Sequence, residues 1–491
     1  MEEEYVRLIF GLKLKQIRTD RNLSLFGLSK LCGLSKSYLN EIEKGKKYPK
    51  TDKIVILSEA LDVPYDQLVS IKLDKNLAPI GEILQSKILK EIPLDLFGIQ
   101  ESDLIDIIAE APAKVNAFIS TIIEIAQNYN LSRESFFLAS LRSYQEANNN
   151  FFGDIEKRVE DFAEAYHIDL SKPISSKELE EILIEEYGYV INNDELDKHK
   201  ELNSLRSVFV PKTKTLLLDS SMDEPQRTFI YAKEIAYNFL AYDERLYTFS
   251  WIKFKSFDQV LNNFYASYFA GALIIPRKTL VPQLETFFKN KSFRPKAFIK
   301  MMSEYNASPE SFYQRLTNIL PKDFKLQDLF FLRFTHRAGD EKFHLKKELH
   351  ITHQQSPQAN ETNEHYCRRW ISIKTLEEIT KTKDAHVFDI QISQYDDSNN
   401  EYLVLSSATA DPFREHYYRS ISIGFLISAH LKRKVLFTED KTIKKRLVGV
   451  TCERCSVADC KERKAAPKHL IRKEAHQRTA AVVDDLMQRF S

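Results

Sequence analysis

The stretch from Leu23 to Gly45 leaves the chain little choice of local fold. Leu23-Ser-Leu-Phe-Gly-Leu-Ser-Lys-Leu-Cys-Gly-Leu34 reads as a helix running into a tight turn at Cys32-Gly33-Leu34. Gly33 can supply that turn because a residue without Cβ takes a left-handed conformation without a clash. Ser35 is then a good N-cap, and Gly45 stops a second helix predicted over Lys36–Lys44. Around this pair, apolar residues recur at helical spacing from Leu12 and Ile17 through Leu28, Leu39 and Ile42 to Ile54, Leu57 and Leu61. Leu8–Ser70 is therefore expected to form five short helices. That is helix-turn-helix spacing. The second helix presents Lys36, Ser37, Asn40 and Lys44 outward, while Tyr38, Leu39 and Ile42 supply bulk or core contact. Hydrogen-bonding Ser, Asn and Tyr suit base edges, and Lys suits phosphates. The candidate DNA-binding residues are Ser35, Lys36, Ser37, Tyr38, Asn40, Lys44, Lys46 and Lys47, with Lys50 as a further phosphate contact.

A plain helical bundle with a lysine-rich solvated face shares some of these marks, and the full pattern weighs against it. I-R-x(3)-N-L-S stands at 17–24, S-K-S-Y-L-N-E-I-E-K-G at 35–45, Pro49 follows, and A-L-D-V at 60–63 completes the run. Together they resemble the XRE (lambda-repressor-like) helix-turn-helix family. Leu25 stands where that family usually has Gln, so one phosphate contact expected from the resemblance is missing. The resemblance implies a two-fold operator DNA as partner and a homodimer.

Bulk properties set the outer limits. At 491 residues the chain is too long for one ordinary core, and two to four domains are expected. Lys+Arg (71) nearly cancels Asp+Glu (70), so any basic surface must be local. Five cysteines are few and odd in number, which argues for a reducing compartment rather than a disulfide scaffold. The opening MEEEYVRLIFG is acidic and lacks a signal-peptide core. The longest apolar stretches, near Tyr268–Ile275 and Ile421–Ala429, fall short of the ~20 residues that a membrane span requires. A cytoplasmic, multidomain protein is expected, with a mainly α helix-turn-helix domain over 1–70 and α+β architecture beyond it.

Residues 71–150 carry helical patterns at Ile83–Ile92, Leu104–Ile122 and Arg133–Asn148, and Lys114–Tyr129 has a strong apolar face. They read as a linker that either pairs subunits or simply joins domains. From about Asp154 to Leu320 the chain looks helical with a strand insert. Gly188–Ile191 is a short strand, and Ser207–Val210 with Thr215–Asp219 reads as a hairpin. Helices carrying Gln226–Asn238 and then Tyr265–Ala270 follow, the second ending in Leu273-Ile-Ile-Pro-Arg277.

This segment, 151–320, resembles the ImmA/IrrE family of zinc-peptidase-like domains. In that family H-E-x-x-H sets two His on one helix face for zinc, with Glu as the base. The matching window here is Lys233-Glu-Ile-Ala-Tyr237, so both His positions are lost. The third-ligand pattern is matched to Tyr265-Ala-Ser-Tyr-Phe-Ala-Gly271, which places a Tyr at the ligand. Only Glu234 remains, with no metal-bound water to activate. The segment reads as a degenerate zincin-like scaffold with no catalytic residue, retained as a ligand pocket. His344, His350 and His353 lack metal-ligand spacing and read as solvated surface.

Residues 321–491 read as an α+β sensor domain with a four-Cys site. Three cysteines lie in Thr451-Cys-Glu-Arg-Cys-Ser-Val-Ala-Asp-Cys460, a C-x2-C-x4-C run, and Cys367 is the plausible fourth ligand. Four thiolates at Cys367, Cys452, Cys455 and Cys460 satisfy a [4Fe-4S] cluster or a structural zinc, and ligand spacing alone does not separate them. Uncoordinated thiols or a disulfide switch are the remaining alternative. The cluster is favoured because a centre closed from remote segments suits a redox input. Val387–Gln394 and Tyr402–Ser407 are strand-like, and Ile421–Leu431 is a buried helix or strand. Arg419 and Arg463 are candidates for pairing an effector's phosphates or carboxylate, with structural ion pairs as the alternative. Lys461–Arg478 is a basic stretch that reads most simply as a solvated helix face.

C-R-R-W at 367–370, Gln391–Tyr395, Glu401-Tyr-Leu403, Arg419–Gly424, V-G-V-T-C-x-x-C-x(4)-C-x-x-R at 448–463 and Ser308–Leu316 form a second pattern. It looks like the C-terminal part of the short-chain fatty acyl transcriptional regulators. That resemblance implies control of carboxylic-acid catabolism and an acyl-CoA-type effector. A metallopeptidase acting on a partner repressor is the alternative from another class, and the lost zinc ligands weigh against it. A toxin–antitoxin-type interaction protein that uses its reader for autoregulation is a third.

Overall fold

The computed structural model describes residues 2–71, 133–202, 205–248, 255–351, 364–382, 384–396, 398, 400–412 and 414–490. The linker helices expected at Ile83–Ile92 and Leu104–Ile122, the apolar face at Lys114–Tyr129, and His353 lie outside the described residues. The chain divides into two compact units, residues 1–144 with 255–257, and residues 145–254 with 258–491.

In the first unit five helices run from α1 (Glu2–Asp20) through α2 (Leu25–Cys32), α3 (Lys36–Glu43) and α4 (Thr51–Leu61) to α5 (Tyr65–Val69). Each boundary has a local cause. Ser24 and Ser35 cap α2 and α3 by accepting from the amides of Gly27 and Tyr38. Gly33 ends α2 in the left-handed region at φ 69°, as the turn requires. Leu14, Leu28, Leu39, Ile42, Leu57 and Leu61 form the fully buried core. Fully burying each such side chain contributes roughly 1.5–3 kcal/mol. Gly11 lets α1 lie directly on α3, since a Cβ there would sit 2.4 Å from the Ile42 carbonyl oxygen.

The second unit opens with α6 (Arg133–Ala147), whose first turns belong to the other unit, then α7 (Gly153–Ala165) and α8 (Ser176–Glu185). A small sheet follows, with β1 (Val190–Asn192), β2 (Ser207–Val210) and β3 (Thr215–Leu218) in the order β1-β3-β2. The expected hairpin is present, with Ser207 opposite Leu218 and Val210 opposite Thr215. Five helices come next: α9 (Glu224–Phe239), α10 (Phe257–Ile274), α11 (Arg277–Phe288), α12 (Pro295–Ser303) and α13 (Pro309–Asp323).

The remainder builds β4 (Leu329–Arg337), β5 (His344–Ile351), α14 (Ile371–Thr382), β6 (His386–Tyr395), β7 (Glu401–Ala410), β8 (Tyr417–Leu426), α15 (Ala429–Lys434), β9 (Lys444–Val448) and α16 (Lys468–Phe490). The six strands order as β5-β4-β8-β7-β6-β9, antiparallel except for the β6–β9 pair. Strand alternation sorts the two faces. Phe330, Leu332 and Phe334 join Trp370, Ile371 and Leu376 under α14, and Gly424 makes room there, since a Cβ would fall 2.3 Å from the Phe330 ring. The other face receives the helices of the peptidase-like segment. Tyr313 of α13 meets Ser407 of β7 at 3.1 Å, and Phe298 of α12 stacks on Phe388 of β6 at 5.1 Å. The segments 151–320 and 321–491, expected as separate domains, thus share one core. The stretch Ile421–Leu431, expected as a buried helix or strand, spans the end of β8 and the start of α15.

Candidate nucleic-acid interface and the rebuilt peptidase-like pocket

On α3, Lys36 and Ser37 are exposed, and Asn40 and Lys44 are half-buried. Ser35 is exposed but its hydroxyl serves the cap, accepting from Tyr38 N–H at 3.2 Å. Tyr38 packs on the domain core, so its ring supports the helix. Lys46 and Lys47 stand exposed in the loop beyond, with Lys47 paired to Glu41 at 2.8 Å. The helix is anchored from behind. Arg18 on α1 donates to both oxygens of Glu43 on α3, at 2.7 and 2.9 Å. Lys13 donates to the carbonyls of Gln67 and Ser70, tying α1 to the end of α5. A rigid α3 with Lys36, Ser37 and Asn40 outward and lysines at its end is arranged to enter a major groove and meet the flanking phosphates.

In the second unit α9 carries the window of the lost zinc motif. Lys233 and Tyr237 occupy the two His positions, one helical turn apart, and both donate to Asn263 Oδ1 of α10, at 2.7 and 3.2 Å. The residue facing the motif is therefore Asn263, and the third-ligand assignment to Tyr265 is corrected. Two residues along a helix is about 200° of rotation, which turns Tyr265 away; it stacks with Tyr242 instead. Burial, outweighing Glu234, lowers the Lys233 pKa to about 8, so its ammonium still predominates at neutral pH and has no lone pair for zinc. Glu234 is held by Arg245, which donates to both its oxygens, and by the Tyr189 hydroxyl at 3.1 Å. A carboxylate tied this way orders the side chains around it. Arg245 and Asn263 are functional positions that the sequence reading missed. The Asn263 signal was an amide one helix face away from Tyr265.

The four cysteines expected to share a centre come to one end of the large sheet. Cys367 N–H donates to Val450 O at 3.1 Å, and Cys452 N–H donates to His365 O at 2.8 Å, closing the two remote segments on each other. Arg463 then gathers the loop, donating to the carbonyls of Cys452, Cys455 and Val457. The guanidinium of Arg463, one of the two residues expected to pair an effector, is thus engaged with the cysteine loop. Gly449 is packed so closely that a Cβ would fall 2.9 Å from Cys455 Sγ. Burial pushes the Cys367 thiol up to about 11 and also raises that of Cys455, while Arg369 lies close to Cys460, Cys367 and Cys455. All four are free thiols. Donor type, the tight Gly449 cradle and the nearby cations suit a thiolate-bound centre. Among the described residues, however, no three His, Cys, Asp or Glu side chains converge closely enough to hold an ion as they stand. His344 and His350 lie on β5, and no metal grouping includes them.

Arg419, the other residue assigned to an effector, is buried on β8 and faces α13. It reaches Thr409 Oγ1 at 3.4 Å and Glu310 at 3.9 Å. Among the described residues no helix is long and apolar enough to cross a membrane.

Fold and site geometry together define a DNA-binding protein of the helix-turn-helix class with a second, peptidase-like and sheet-containing unit. Residues 14–68 match the Helix-turn-helix family, and residues 184–317 match the IrrE N-terminal-like domain family. The Control protein C.BamHI of Bacillus amyloliquefaciens is 40% identical over 65 residues, which cover 13% of this chain and 80% of that protein. The chain belongs to the XRE-type helix-turn-helix family through this N-terminal domain. A solved Mycobacterium tuberculosis transcriptional regulator is similar at 17% identity and a TM-score of 0.47, over 66% of this chain and 92% of that one, a likeness too distant to bear on function.

Proposed function

We propose that the protein is a sequence-specific DNA-binding transcriptional regulator that works as a homodimer, with α3 in the major groove of a two-fold operator. The observation that carries this is the capped α3, locked to α1 through Arg18 and Glu43, with Lys36, Ser37 and Asn40 on its outer face. The likeness to a control protein supports the same reading. The second unit acts as the sensor, and its effector is an acyl-CoA-type molecule linked to short-chain carboxylic-acid catabolism. For such a ligand to regulate, it must bind two states of the protein unequally. Cys367, Cys452, Cys455 and Cys460 hold a metal centre, a [4Fe-4S] cluster in preference to zinc, which would supply a redox input. Nothing in the pocket favours peptidase chemistry, since Lys233, Tyr237 and Asn263 bond to one another. Cytoplasmic location follows from the role.

Genome-wide footprinting tests the regulator reading. Discrete sites upstream of acyl-catabolism genes, released or strengthened by short-chain acyl-CoA in vitro, are the expected result. A footprint confined to the protein's own promoter and indifferent to acyl-CoA would remove the effector assignment. Anaerobic purification with metal analysis tests the centre. About four irons per chain, lost in Cys452→Ser, are expected of the cluster, and one zinc would make the cysteines a structural clamp.

A further inference from the structure

Three neighbouring strands of the large sheet place cations on one face. Arg333 on β4 lies directly opposite Lys347 on β5 and opposite Ile421 on β8, and Arg419 is two residues along β8 from Ile421. Alternation sets Arg333, Lys347 and Arg419 on the same side, the side that receives α13. Like charges directly opposite on paired strands repel, so such a grouping needs a reason. Glu310, in the first turn of α13, is a partial one. It accepts from Arg333 at 3.0 Å and lies 3.9 Å from Arg419. Arg206, just before β2, is within electrostatic reach of Arg419, Glu310, Arg333 and Asp411, and Asp411 is itself held by Arg414 at 2.7 Å. Among the described residues, Arg333, Lys347 and Arg419 thus share the Glu310 carboxylate.

Burial, Arg419 and Arg333 bring Arg206 down to about 10 against the opposing pull of Glu310 and Asp411. Against burial, Arg333, Lys347, Arg419 and Arg206 draw the Glu310 carboxyl down to about 2. Lys347 is exposed on β5, open to solvent and to a ligand. Arg333 Nε is buried and, among the described residues, has no hydrogen-bond partner. Arg419 is buried with contacts no closer than 3.4 Å. The Arg419 guanidinium, held this loosely, can turn to an oxyanion, and its fork matches a pair of phosphate oxygens.

We propose that the face of the β5–β4–β8 end of the sheet beside α13 is a phosphate-binding site, where Arg206, Arg333, Lys347 and Arg419 hold the phosphoryl group of a small-molecule ligand and Glu310 keeps the cations in place when the site is free. This deepens the sensor reading above and rests on it for its biological role. The ligand bridges α13, which belongs to the peptidase-like helices, and the sheet, so its binding joins the two halves of the unit.

Calorimetric titration of the full chain with inorganic phosphate, and separately with coenzyme A, tests the assignment. Phosphate is expected to bind, and Arg333→Gln and Arg419→Gln are each expected to weaken it about tenfold or more, the loss of one charge-assisted hydrogen bond. Glu310→Gln removes a competing anion and is expected to tighten binding. Arg419→Gln keeps the test sound if the other variants fold poorly, because Arg419 makes only long contacts. Absence of binding by both probes, or binding unchanged in the arginine variants, overturns the site. Phosphate bound and weakened by the variants, with coenzyme A binding no tighter, upholds the site and removes the coenzyme A source. Coenzyme A bound but indifferent to both variants overturns the site and leaves the acyl-CoA reading standing.

Discussion

Arg18 and Glu43 are nearly buried, with 12% and 4% of their side-chain surfaces exposed, and they meet through two hydrogen bonds. Removing one partner of such a pair strands the other charge, which costs about 3–5 kcal/mol. Glu43→Ala should lower the stability of the reader by that order in a urea titration; an unchanged midpoint would mean that the pair does not set the α3 angle. Asn40→Ala and Lys36→Ala act on the opposite side of the helix. Each should weaken operator binding by about 1–3 kcal/mol with an unchanged melting temperature, whereas Lys46→Ala should instead reduce the salt slope by about 1. Glu310 gives a pH signature. Its pKa lies near 2 in the fold against an ordinary 4.5, so its pairing stabilises the protein above about pH 4.5 and is lost as pH falls toward 2. Glu310→Gln should therefore melt below the parent chain at pH 6, and the gap should narrow in melts taken between pH 4.5 and 3.

At the scale of elements, close packing at two glycines fixes how helices and strands meet. A Cβ on Gly11 would collide with the Ile42 carbonyl, and one on Gly424 would enter the Phe330 ring. Gly11→Ala should destabilise the reader by roughly 1–3 kcal/mol, as overpacking does, and chemical denaturation reads this directly. The reader was legible from sequence because each of its signals is local: a serine cap, a glycine turn, and apolar residues at helical spacing. The β2–β3 hairpin and the strands β6 and β7 were legible for the same reason, through alternation. The peptidase-like pocket was only half legible. A two-residue offset along α10 exchanges Asn263 for Tyr265, and periodicity does not fix rotation that finely in an apolar helix. The cation face was not legible, because Arg206, Glu310, Arg333, Lys347 and Arg419 come from five separate elements or loops. Arg419, expected to pair an effector, and Arg333 inside the apolar run Leu329-Phe-Phe-Leu-Arg-Phe334 were the visible hints.

At the scale of the molecule, the two halves of the second unit depend on each other. Leu403, Leu405 and Phe425 of the sheet close against Leu316 and Leu320 of α13 and Leu284 and Phe288 of α11, leaving a cavity of only about 10 Å³. Residues 321–491 expressed alone would expose that face and should aggregate or stay molten, while 145–491 should fold. Near-ultraviolet circular dichroism of the two fragments distinguishes these outcomes. A body built this way can transmit a ligand's presence across the whole unit, because α13 and the sheet cannot move independently.

Sequence reading by α3 shows in the affinity ratio between operator and unrelated DNA. The full chain is titrated by fluorescence anisotropy against a footprinted operator and a scrambled duplex of equal length, with Asn40→Ala alongside. The operator should bind at least about 10³-fold more tightly than the scrambled duplex, and Asn40→Ala should collapse most of that ratio while keeping the salt dependence. Equal affinity for both duplexes, or a ratio untouched by Asn40→Ala, would contradict the account.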